Sequence, residues 1–254
     1  LRKKNFFVLI ASSEEDPQFE QQEIDHLLAR RVEAVLIASA QWTVETFRRI
    51  EDQKTPYVLL DRHFAGLSAN FVGVDDEAAG VLATDHLVEC GCKHIAHIAG
   101  PHVSTAAERM QGYRSALFRH GHTVSEKYIV RREKGDEASD LSGYQSMKAL
   151  LKLSPRPDGV FCYNDPTAMG AMKAILEAGL DIPGDIKVAG CGNVRYADFL
   201  RVPLTTVDQK SDVIGERAAK LAISLVESKT LQRPKTILLP PHLIVRESTV
   251  KTAG

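Results

Sequence analysis

The chain has 254 residues, 44% hydrophobic and 26% charged, with a formal net charge of −1. That apolar fraction predicts a folded, soluble protein of one large or two modest domains and excludes disorder as its main state. No apolar run approaches the ~20 residues a bilayer needs, and without basic runs this stretch does not itself grip nucleic acid, since phosphate contacts need clustered Lys and Arg.

Short β-rich apolar runs alternate with helical patterns, which predicts α/β layering with mostly parallel sheet. Residues 5–11 read as a buried strand; Phe19, Ile24, Leu27 and Leu28 mark an amphipathic helix that runs to Arg31. A strand at 34–39, a helix marked by Val44, Phe47 and Ile50, and strands at 57–61 and 71–75 follow. Asp75 precedes an apolar-periodic run and fits a helix N-cap, and Gly91 fits the left-handed cap that closes that helix. The cycle continues with strand 94–100, helix 104–120 stopped by Gly121, strand 128–132, helix 141–153, strand 159–163, helix 167–177 capped by Gly179, and strand 187–191. The tail gives an extended run at 205–209, a long helix at 212–228, and strands at 237–239 and 242–245. Two similar halves, the second entered near Pro101, fit the length better than one giant sheet.

Cys90, Cys92, Cys162 and Cys191 lie on apolar segments, as reduced core residues of a cytoplasmic protein would. No phosphate loop, nucleophile elbow or His-Glu-x-x-His helix is present, and Gly190-Cys-Gly192 lacks the third glycine of a dinucleotide fingerprint. Catalysis therefore ranks well below binding. His94 and His97 sit three apart on a strand and so on opposite faces, which disfavours a shared metal. Cys90-Gly-Cys92 and His120-Gly-His122 flank helix ends and read as structural. No cofactor and no metal are expected.

Polar residues at the carboxyl ends of strands carry more weight, because ligands of open α/β sheets bind there. Asp61, Asn164, Asp165 and Gln209 hold such positions, and Arg109 lies on the helix that follows strand 94–100. Asp75 and Asp165 also suit plain helix caps. An Arg fork beside carboxylate and amide groups fits vicinal hydroxyls or an anionic substituent.

The ordered blocks Val72-Gly-Val-Asp-Asp-Glu-Ala-Ala-Gly80, Thr84-Asp-His-Leu, Gly91 to Pro101 and Arg109-Met-Gln-Gly-Tyr-Arg resemble LacI/GalR-type bacterial transcriptional regulators. So do Asn164-Asp165, Ile182-Pro, Pro203-Leu-Thr-Thr-Val and the closing Val245-Arg-Glu-Ser. The resemblance implies two Rossmann-like parallel-sheet subdomains of periplasmic-binding-protein type I, with a ligand cleft between them, in a homodimer. It places residues 1–101 and 210–232 in one subdomain and 102–209 and 235–250 in the other, with crossovers near Pro101, Gln209 and Arg233-Pro234.

Carried over residue by residue, Arg109 matches the family's effector-holding arginine, Thr105 a polar contact one turn earlier, Asp61 and Asn164 cleft positions, and Gln209 a crossover position facing the cleft. Two departures bear on the ligand. Cys191 and Gly192 stand where the family has an aromatic residue and then an effector-binding Asp, and Ala138 where it has a stacking ring; Asn193, Lys210 and Trp42 are candidates to compensate. The resemblance implies a sensor of a small polar effector, a sugar or sugar derivative, that controls operator binding by an upstream helix-turn-helix not in this chain. A strand and most of a helix of the first subdomain are also expected upstream of Leu1. Met169, Met172 and Leu176 are candidates for a dimer surface, with core packing as the equal alternative. The rival reading is a periplasmic solute-binding protein of a sugar transporter.

Overall fold

The computed structural model describes residues 6–131, 139–228, 230 and 232–250. The chain divides into two compact units, one running to Val74 and including Lys210–Leu239, the other comprising Asp75–Gln209 and the residues from Pro240 on.

The first unit holds a parallel sheet ordered β1 (Val35–Ile37), β2 (Tyr57–Leu60), β3 (Asn70–Val74), β9 (Thr236–Leu239). Alternation along β2 sends Tyr57 and Leu59 to one face, where α1 (Pro17–Ala29) and α2 (Glu45–Asp52) bring Ile24, Leu28, Phe47 and Ile50. Val58 points the other way, into Ile214, Ala218 and Leu221 of α7 (Ser211–Glu227). The strand expected at 5–11 is not found over its described residues: Phe6–Ile10 make no ladder, and Phe7 and Ile10 are each 91% exposed. A strand exists by its pairing, and β1, at the edge of the described sheet, pairs with β2 alone.

The second unit is built on six strands in the order β10 (His242–Ile244), β8 (Thr205–Asp208), β7 (Lys187–Cys191), β6 (Gly159–Cys162), β4 (Ile95–Ile98), β5 (Ile129–Val130). All neighbours are parallel except β10, which runs antiparallel to β8. One face is covered by α3 (Asp76–Glu89) and α4 (Ser104–Arg119), which pack Ala83, Leu87, Tyr113 and Leu117 on Phe161 and Val207. The other is covered by α5 (Ser139–Leu150) and α6 (Asp165–Glu177), with Met147, Leu150, Ala171 and Ile175 against Val160 and Val188.

The chain enters the second unit at Asp75, not near Pro101 as expected from the sequence. Two contacts decide this: β4 pairs with β5 and β6, and α3 lies against α4 at Gly80 and Gly112. The last crossing falls after Leu239 instead of at Arg233-Pro234, because β9 is still paired with β3 up to Leu239. Met172 belongs to the core and Leu176 packs against it, which removes both from the expected dimer surface.

His97, in the middle of β4, is fully buried between the rings of Tyr113 and Phe161, with centroids 5.1 and 4.8 Å away. Its Nδ1–H donates to the Phe161 carbonyl at 2.9 Å, and Nε2 has no partner among the described residues. Burial, helped by the charges of Arg109 and Arg131, lowers its pKa to about 4. The unfolded chain binds the proton near pH 6.5, so stability is full above that pH and falls by about 3 kcal/mol between pH 6.5 and 4. Urea unfolding across this window should show that slope in the natural chain and lose it in His97→Phe; the same slope in both would contradict the assignment.

Candidate functional site

In the second unit, α3 and α4 approach closely because both carry glycine at the contact. A Cβ on Gly80 would collide with the backbone carbonyl of Arg109, and one on Gly112 with that of Glu77. That approach brings the first turn of α3 against Arg109. Asp75 caps α3 as expected, its carboxylate accepting from the Ala78 N–H at 2.9 Å. Its neighbour Asp76 turns inward: Arg109 Nε donates to Asp76 Oδ1 at 2.7 Å and Nη2 forms an ion pair with the same oxygen at 2.7 Å, with side chains only 3% and 2% exposed. Arg109 Nη1 donates to the Tyr163 carbonyl at 2.8 Å, and the guanidinium lies 4.9 Å from the centre of the Tyr163 ring. The phenol of Tyr163 meets Thr105 Oγ1 at 2.9 Å, and Gly100 leaves room for that ring.

A second polar set lies at the ends of β6, β7 and β8. Asn164 is the cap of α6, accepting from the Thr167 N–H at 2.9 Å. Asp165, the other candidate for that cap, turns inward instead: it is buried, Oδ1 accepts from Thr206 Oγ1 at 2.5 Å, and Oδ2 accepts from the Val194 N–H at 2.9 Å. Burial raises its pKa, while those two bonds and the charges of Arg246 and Arg109 pull it down. Gly190 is required here, since a Cβ would run into Asp165 Oδ1. Gly192 adopts φ +134, and the space its missing side chain leaves is flanked by Asp165 Oδ2 and Gln209 Oε1. Asn193 follows with φ +50, and its Oδ1 accepts from Arg246 Nη2 at 3.0 Å.

Thr105, Arg109, Asn164, Asp165, Asn193 and Gln209 thus gather at the carboxyl ends of β4, β6, β7 and β8 and on the helices that follow. A cavity of about 350 Å³ lies between the turn from Gly100 to Ser104, Met110 and Arg131, and none of the six gathered side chains lines it. In the first unit, Asp61 ends β2 with φ +61 and its N–H donates to the Val72 carbonyl, while Trp42 is 52% exposed after β1. Lys210 caps α7 with a left-handed backbone. Ala138 lies outside the described residues.

Sequence reasoning passed over Asp76, Tyr163 and Arg246. Asp76 reads as one more acid in a first helical turn, and only the packing of α4 reveals its charge partner. Among the described residues no cluster of His, Cys, Asp and Glu could hold a metal, and no helix is long and apolar enough to cross a membrane.

A family model for the periplasmic binding protein-like domain matches residues 84–249. The HTH-type transcriptional repressor PurR of Actinobacillus pleuropneumoniae is 30% identical over 249 residues, 97% of this chain and 73% of that protein. The chain belongs to the LacI/GalR-type regulators. Its sheets and helices are those of that family's effector-binding core: a LacI-family regulatory protein from Chloroflexus aggregans superposes with a TM-score of 0.84 at 29% identity, over 98% of this chain and 88% of that one. A transcriptional regulator CelR–cellobiose complex gives a TM-score of 0.82 at 30% identity, over 90% and 70%. Both of these named relatives, PurR and CelR, are transcriptional regulators.

Proposed function

We propose that the chain senses a small, uncleaved polar molecule, a sugar or sugar derivative, and passes its occupancy to operator DNA through a helix-turn-helix outside this sequence. The observation that carries this reading is the gathering of Thr105, Arg109, Asn164, Asp165, Asn193 and Gln209 at the strand carboxyl ends of the second unit's sheet. In that position the ends of parallel strands and the starts of helices present oriented donors and acceptors. The relative whose structure contains cellobiose supports a carbohydrate. Asp61 of the first unit is assigned a further contact by resemblance alone, with Trp42 and Lys210 as candidates to compensate for the family residues this chain lacks. Control of DNA affinity requires the effector to bind two arrangements of the protein unequally, which a ligand held by both units would do. The protein works as a cytoplasmic homodimer in this reading.

A thermal-shift screen of neutral sugars, sugar acids and sugar phosphates, with cellobiose among them, tests the proposal. A true effector at about one hundred times its Kd stabilises by about 2.7 kcal/mol, enough for a shift of several degrees. No shift from any of these at millimolar concentration would sink the carbohydrate reading.

A further inference from the structure

Arg246 lies beyond β10 in the closing Val245-Arg-Glu-Ser block, where nothing so far has required an arginine. Its side chain is 15% exposed, and its three nitrogens go to three different places. Nε donates to Asp198 Oδ1 at 3.0 Å, Nη1 to the Leu204 carbonyl at 2.8 Å, and Nη2 to Asn193 Oδ1 at 3.0 Å. Its backbone is fixed as well, with its N–H donating to Thr205 Oγ1 at 2.8 Å and its carbonyl accepting from the same hydroxyl at 2.9 Å. The turn it grips is otherwise held from below: the Val194 N–H by Asp165, and the Asn193 N–H by Thr206 Oγ1 at 3.3 Å.

An amide side chain offers one accepting arm and one donating arm, and which faces where is set by its partners. Guanidinium nitrogens only donate, so the arm of Asn193 that meets Arg246 must be the oxygen. The other arm is then the nitrogen. We infer that Arg246 is a positioning residue for effector choice: it turns the Asn193 amide so that the arm left for a ligand is a donor, and the ligand group met there is an acceptor oxygen or nitrogen. This rests on the function proposed above. It also defines how Cys191 and Gly192 change the site, because an acceptor-only carboxylate expected there gives way to a donor one residue later.

Asn193→Asp tests the orientation without any ligand, since the new carboxylate keeps an oxygen for Arg246 but loses the donor arm. Asp165 and Asp198 also face this turn and oppose its ionisation, so the comparison is made with and without the arginine. In carboxyl-labelled NMR titrations, the introduced group should titrate lower by about one unit or more with Arg246 present than in the Arg246→Met background. Should that double variant fail to fold, Arg246→Gln serves, because it removes the charge while keeping a polar side chain in place. Equal titration in both backgrounds overturns the inference. With cellobiose as the probe in calorimetry, Asn193→Asp and Arg246→Met should each weaken binding by about tenfold or more, the cost of a lost or mismatched buried hydrogen bond. Unchanged affinity in Arg246→Met would overturn the positioning role. If the natural chain does not take cellobiose, that result counts against the carbohydrate reading, and the carboxyl titration still decides the orientation.

Discussion

Asp76→Ala should cost the second unit about 3–5 kcal/mol of stability, because it leaves the Arg109 guanidinium buried without its counter-charge. The magnitude follows from geometry: both side chains are at most 3% exposed, so water cannot take over the solvation that the carboxylate supplies. Arg109→Ala should be comparably damaging by stranding the Asp76 carboxylate. By resemblance Arg109 reads as a ligand contact; the buried pair makes it part of the fold's support as well. The double replacement Asp76→Leu with Arg109→Met removes both charges and should recover much of the loss, as apolar replacements of buried pairs do. Urea unfolding of the four proteins, followed through the transition of the second unit, gives the comparison. A loss under about 1 kcal/mol for Asp76→Ala would mean that the pair is hydrated in solution and the account of the site is wrong.

The second large effect is expected at Gly112. A methyl group there meets the backbone carbonyl of Glu77 and the Val81 nitrogen, so no change of rotamer relieves it and α3 must move away from α4. Overpacking typically costs about 1–3 kcal/mol, and a backbone collision belongs at the upper end. The displacement would also draw Asp76 off Arg109, which makes the two effects interdependent. In a Gly112→Ala background, Asp76→Ala should therefore cost clearly less than in the natural chain. Strict additivity in that double-mutant cycle would show that helix spacing does not set the ion pair.

These two sites show where sequence reading succeeds and where it stops. Local signals were sufficient for the second unit's alternation: Asp75 caps α3, and Gly91, Gly121 and Gly179 all adopt positive φ just after their helices. Each of those outcomes depends on a few neighbouring residues. Residues 5–11 carry a strand pattern as good as that of β2, yet the pattern cannot supply a neighbour to pair with, and Phe6–Ile10 form no ladder. The placement of α3 in the second unit depends on two glycines 32 positions apart, visible in the sequence but without a reason to be matched. The site divides in the same way. Strand-end positions brought Asn164, Asp165 and Gln209 to one edge, and the family resemblance added Thr105 and Arg109. What each does there depended on distant partners: Thr206 for Asp165, Arg246 for Asn193 and Asp76 for Arg109. The cap of α6 is Asn164 because Asp165, next to it, is drawn inward by Thr206 and the Val194 amide.

In the proposed function a small polar effector binds at the strand carboxyl ends of the second unit. Amide-resolved NMR of the labelled chain, titrated with cellobiose and with any other compound that shifts its melting temperature, tests it most directly. The account predicts saturable shifts at Thr105, Arg109, Asn164, Gly192, Asn193 and Gln209. Contradiction would come from saturable binding that leaves those amides still and moves others instead, such as those around the cavity between His94, His122 and Tyr128 at the opposite ends of the strands.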